Sequence, residues 1–151
     1  MANNMQAQAL AYLQAHHVMT LATVDPQGVW AAALFYASKD FTLLFLSAAH
    51  TRHAQNIAAR PRIAATIQEN YENWEEIKGI QLEGVVHQLQ DKERLKAIDF
   101  YTARFPFINQ PNSAMKAALT KVNWYQLTPD KLYFIDNSKG LGHRTEILLP
   151  S

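Results

Sequence analysis

The chain has no cysteine among its 151 residues. That absence excludes disulfide frameworks, thiolate nucleophiles and cysteine-based zinc sites together, and it accords with a cytoplasmic location. A surplus of charge is also missing. Fourteen Lys and Arg stand against 13 Asp and Glu, with no basic block of the kind that neutralises a phosphate backbone, so nucleic acid is not an expected partner. No apolar run reaches the roughly 18 residues that a membrane-spanning helix needs; stretches such as VWAAALFYA are the longest. The opening MANNMQAQALAYLQAHH lacks the basic start and continuous apolar centre of a signal peptide. It reads as mature protein, and no membrane partner is expected. There is no G-x-S-x-G elbow and no P-loop, and GLGH at 140–143 lacks the third glycine of a dinucleotide fingerprint. Hydrolase and NTP-dependent chemistry therefore have no support. The GLGH segment reads as a turn that brings Asn137 and Arg144 toward a ligand.

Hydrophobic residues make up 48% of the chain, enough for one domain with a real core over residues 1–151. The Ala, Leu and Gln content of 4–16 predicts a covering helix with Asn4 at its N-cap. VMTLATV (18–24) and VWAAALFYAS (29–38) are rich in strand formers and flank DPQG, whose Pro26 and Gly28 suit the second and fourth turn positions. A turn at 38–40 leads into FTLLFL (41–46). TRHAQNIAA (51–59) presents Ala54, Ile57 and Ala58 on one helical face, and Pro61 ends it before the strand RIAATIQ (62–68). Acidic ENYENWEE (69–76) has no period and reads as a solvated loop. IQLEGVVHQL (80–89) is a strand in which Gly84 marks a bulge or a close backbone approach. Asp91 is placed as N-cap of a helix over 92–105, closed by Pro106; a short helix follows at 112–119. VNWYQLT (122–128) and KLYFID (131–136) read as two strands joined at Pro129-Asp130. Strands at such short spacing predict a mainly β, closed or nearly closed barrel, because open edges invite aggregation.

One cluster stands out at the end of the third apolar run. Ser47, His50, Thr51, Arg52 and His53 fall where a helix begins, and helix N-termini attract anions through unpaired N–H groups and a partial positive charge. Arg52 adds a fork of donors, and Ser47 and Thr51 add hydroxyls. The group describes a phosphate cradle. The plain alternative is an ordinary N-cap, Thr51 or Ser47, followed by solvated Arg and His.

The order of elements, LSAAHTRHAQNIAARPRI and the tail LYFIDNSKGLGHR resemble the FMN-binding split barrels related to pyridoxamine 5'-phosphate oxidase, the tail being similar to a YhbP-like subfamily. Ser47 matches the Thr or Ser that ends the family's third strand. Thr51, Arg52 and His53 match a Ser-Arg-Lys triplet that opens the next helix, and Arg60 to Ile63 match the segment that starts the fourth strand. The resemblance implies a six-stranded antiparallel split β-barrel that dimerises, with FMN at the subunit interface. Its phosphate would lie on Ser47, Thr51, Arg52 and His53 beside Leu46, and its ring along Ala33, Leu34, Phe35 and Tyr36. Tyr36 and His53 stand where the family often carries Lys. His143 and Arg144 reverse the order of the oxidase's substrate-phosphate residues, so pyridoxamine 5'-phosphate is not the expected substrate. The implied activity is flavin-dependent transfer of a hydride or electrons from a reduced nicotinamide or another small molecule. Two alternatives stay open: a flavin or haem binder without turnover, with His53 or His143 on the iron, and a deazaflavin-coenzyme reductase.

His50 and His53 are spaced to face one way on a helical turn, but without a third ligand no metal site is expected. His16 and His17, being adjacent, point to opposite sides. Trp30, Tyr36, Trp124 and Tyr125 read as core or dimer contacts.

Overall fold

The computed structural model describes residues 4–109 and 112–151. Its order is α1 (Asn4–Ala15), β1 (Val18–Asp25), β2 (Gly28–Phe35), β3 (Ala37–Lys39), β4 (Thr42–Ala48), α2 (Arg52–Ala59), β5 (Arg62–Gln68), β6 (Lys78–Gln88), α3 (Asp91–Arg104), α4 (Ser113–Leu119), β7 (Val122–Asp136) and β8 (Arg144–Glu146), with short 3-10 turns between. The strands form one antiparallel sheet in the order β2-β1-β5-β6-β7-β4-β3, with β8 added to β7. Six strands are long, and β3 and β8 are three residues each. The two ends of the sheet, β2 and β3, are consecutive in the chain with only Tyr36 between them, so the sheet curls until it meets itself. This is the split barrel that the sequence resembles.

Alternation builds the interior. Met19 and Leu21 of β1, Ile63, Ala65 and Ile67 of β5, and Ile80, Leu82 and Val86 of β6 point inward and are buried together. α1 closes the end where β1 and β6 start, through Ala9, Tyr12 and Leu13; α2 covers the opposite end through Ile57. The β4 run lacks alternation because both of its faces are covered. Leu43 and Phe45 enter the barrel, while Leu44 meets Ala97, Tyr101 and Trp124 in a second core beneath α3. Arg104 of α3 donates to Gln14 O at 2.6 Å, capping the end of α1. No helix among the described residues is long and apolar enough to cross a membrane.

Three local expectations change. The turn expected at 38–40 falls at Asp40 and Phe41, with Ser38 and Lys39 already in β3. The segments 122–128 and 131–136 are one 15-residue strand, β7. Pro129-Asp130 is its bulge rather than a turn: the register slips between Glu83 and Gly84, leaving Asp130 unpaired in the ladder, and Arg62 grips both Glu83 and Asp130 at 3.1 and 2.8 Å. The N-cap of α3 is Gln90, not Asp91, which is already the first helical residue. The reading of Gly84 as a close approach holds. A Cβ there would lie 2.4 Å from Thr128 O.

Candidate functional site

The open seam of the barrel runs between β2, which among the described residues has no ladder partner on its side away from β1, and the end of β4. β4 stops at Ala48 because the chain turns back on itself. Thr51 N–H and the Thr51 hydroxyl both donate to Ala48 O, at 3.2 and 2.9 Å. Thr51 is extended, and its Oγ1 accepts from Ala54 N at 3.2 Å, so it is the N-cap of α2. Its one proton is therefore spent on Ala48, and it has none to offer a ligand.

Ser47 points inward and is buried. Its Oγ lies 2.5 Å from His53 Nε2 and 3.1 Å from Thr51 Oγ1, so hydroxyls and imidazole satisfy one another. His53 is buried too, and desolvation lowers its pKa below the ordinary 6.5, favouring the neutral ring. Only Arg52 brings a fixed charge to the cluster. It is exposed, its guanidinium lies 4.6 Å from the centre of the Trp30 ring, and the N–H groups of Arg52 and His53 open the helix without intrahelical acceptors. His50 is exposed while His53 is buried, so the two do not share a face.

A lowered histidine pKa has a stability consequence. Protonation of His53 is easier in the unfolded chain, whose pKa is near 6.5, than in the folded one. Stability is complete above that value and is lost as pH falls from it toward the lower folded pKa. The melting temperature of the wild type is expected to drop between pH 7 and pH 5.5 more steeply than that of His53→Gln. Parallel curves for the two proteins would refute a buried neutral His53.

The network behind Arg52 was not visible in the sequence. Asn56 is buried, with Arg52 O and Asp25 Oδ2 facing one end of its amide and the Thr23 hydroxyl the other. Its NH2 therefore donates to the first two, at 3.2 and 2.8 Å, and its oxygen accepts from Thr23 at 3.0 Å. Asp25 also accepts from Gln27 N at 2.8 Å in the DPQG turn. α2 is thus seated on the β1–β2 hairpin. The available signal was an Asn inside a short helix, a residue type that competes with helical hydrogen bonds unless something holds it.

The remaining expected site residues divide by strand parity. Ala33 and Phe35 are exposed on the outer face of β2, where Phe35 meets the rings of Phe105 and Phe107 at 5.3 and 6.1 Å. Leu34 packs against the barrel core. Tyr36 is fully buried; its hydroxyl donates to Leu13 O at 2.7 Å and its backbone N–H to His17 O at 2.9 Å, so neither donor faces the seam. Leu46 is half-buried against the outer core, on the opposite face from Ser47. Asn137 and Arg144 lie at the α1 end, away from the cluster. Asn137 binds Trp74 O and Gly142 N, and Arg144 covers the Tyr133 ring. A hollow of about 530 Å³ flanks the other side of α2, between Ile57 and Ala58 and the ends of β6 and β7.

The donor set at the seam fits a phosphate group: a guanidinium with uncommitted donors and two helix-opening N–H groups, beside an unpaired strand edge that can meet the polar rim of a planar ring. Residues 5–136 match the family described as pyridoxamine 5'-phosphate oxidase. A UPF0306 protein of Photorhabdus laumondii is 31% identical over 135 residues, 88% of each chain. Among solved structures, an FAD-binding protein of Mesorhizobium loti has a TM-score of 0.68 at 16% identity, covering 87% of this chain and 93% of its own. HutZ, a heme storage protein of Vibrio cholerae, has a TM-score of 0.69 at 19% identity, covering 87% and 94%. At such identities the structural likeness is one of fold.

Proposed function

Since the chain belongs to the pyridoxamine 5'-phosphate oxidase family, we propose that it binds FMN in the seam and works as a flavin-dependent oxidoreductase on a small substrate. The observation that carries this reading is the exposed Arg52 at the opening turn of α2, set beside the unpaired edge of β2. When bound, the flavin supplies the hydride and electron chemistry. The chain's own residues bind and orient it. Arg52 and the N–H groups of Arg52 and His53 hold the phosphate; the β2 backbone from Ala33 to Phe35 meets the ring edge; Ser47, Thr51 and His53 stiffen the turn by bonding one another.

A second copy of the chain completes the site in this reading. The outer face of β1 and β2 carries Val18, Val29, Ala31, Ala33 and Phe35, all exposed and uncharged, with Val29 at 79%. Such a face is suited to a homodimer. A haem alternative asks more of the residues, because His53 Nε2 would have to leave Ser47 to reach an iron.

The test is the absorption spectrum of the protein before and after addition of FMN and removal of the excess, with mass measured by sedimentation. Retained flavin bands on a dimer support the reading and open a screen of reduced nicotinamides. A colourless monomer rejects it. A Soret band, or retention of a deazaflavin in place of FMN, selects one of the alternative ligands.

A further inference from the structure

Arg52 is the single fixed cation of the cradle, yet it makes no ion pair among the described residues. What orients it is a ring. Its guanidinium carbon lies 4.6 Å from the centre of Trp30, and Trp30 is 44% exposed. The backbones carrying the two groups are fixed relative to each other. Trp30 pairs with Thr23 across the β1–β2 hairpin, and Asn56, one turn along α2 from Arg52, is bonded to Thr23 and to Asp25 of the same hairpin. The contact is cation–π and uses no hydrogen bond of the guanidinium. Its five N–H donors lie in the plane and stay free.

Resting on the FMN reading, we infer that Trp30 is a positioning residue, whose indole face holds Arg52 over the seam so that its donors meet the phosphate of the cofactor. The ring lowers the number of orientations that Arg52 loses on binding, and preorganisation of this kind appears as affinity. The residue type matters for its π face rather than for its bulk, so Phe or Tyr can replace it and Leu cannot.

The experiment measures binding of FMN and of riboflavin, which lacks the phosphate, through quenching of the flavin's own fluorescence. The proteins are the wild type, Trp30→Phe, Trp30→Leu, Arg52→Ala and the double variant Trp30→Leu/Arg52→Ala. Trp30→Leu is expected to weaken FMN about threefold to fivefold, as for an exposed cation–π contact, and to leave riboflavin unchanged, with Trp30→Phe close to the wild type. In the Arg52→Ala background the Leu substitution should have no further effect on FMN. Equal losses for FMN and riboflavin would show Trp30 acting on the ring or on the fold, and would overturn the inference. So would FMN affinity in Trp30→Leu that is unchanged or tighter. In those cases a loss in Arg52→Ala leaves the phosphate reading standing; if Arg52→Ala binds FMN as well as the wild type, or the wild type does not bind it, both fall.

Discussion

Gly84→Ala is expected to destabilise the protein by about 1–3 kcal/mol or more, the range for forcing extra atoms into packed structure. The added Cβ would stand 2.4 Å from Thr128 O and 2.8 Å from Pro129 Cα. Both are backbone atoms, so no side chain can swing aside, and relief requires β6 and β7 to separate at the bulge. These two strands form the longest ladder in the sheet, running from Lys78 opposite Asp136 to Gln88 opposite Tyr125. Urea unfolding of Gly84→Ala beside Gly79→Ala gives the measure. At Gly79 the first contact is Ile67 O at 3.0 Å, so its loss should be smaller. A midpoint for Gly84→Ala at the wild-type value would mean that β7 bends for reasons other than the glycine.

Arg52→Ala is expected to cut FMN affinity tenfold or more, since a charge-assisted hydrogen bond contributes about 1.5–3 kcal/mol. Burial favours the neutral form of His53, and the Thr51 proton is committed to Ala48. The cradle therefore has no second residue to take over. Arg52→Lys should recover part of the loss, because an ammonium keeps the charge without the planar fork. Arg60→Ala, at the other end of the same helix, should retain wild-type affinity and so controls for net charge. Titration of each variant with FMN at fixed ionic strength decides the matter. Unchanged binding in Arg52→Ala removes the cradle as the phosphate site.

Most of the barrel was legible because inward and outward residues alternate along β1, β5 and β6, and because Gly, Pro and Asp mark the hairpin turn. β7 was misread where the same cues mislead: Pro129-Asp130 has the composition of a turn, and only the close approach of Gly84 from another strand shows it to be a bulge. The clustering of Ser47, Thr51, Arg52 and His53 was legible because the four lie within seven positions of one another. Its internal wiring was not. Which acceptor takes the Thr51 proton depends on the path of the chain at Ala48, and the contact of Trp30 with Arg52 joins residues 22 apart with no period to betray it. Tyr36, expected within a strand over 29–38, is the link between β2 and β3, and its parity turns the ring into the interior, toward α1.

The single residue between β2 and β3 also limits how this protein can vary. From Gly28 to Lys39 the chain is one extended segment that crosses the seam, its first part laddered to β1 and its second to β4. Ala33, Phe35 and Ala37 lie on the outside by the same alternation that puts Tyr36 inside. A substitution in this stretch changes one side chain, whereas a residue inserted or removed reverses the facing of every residue up to the next turn. It would expose the Tyr36 phenol and draw Phe35 into the core. Away from Trp30 and Tyr36 the side chains of this segment tolerate exchange, and its length does not change.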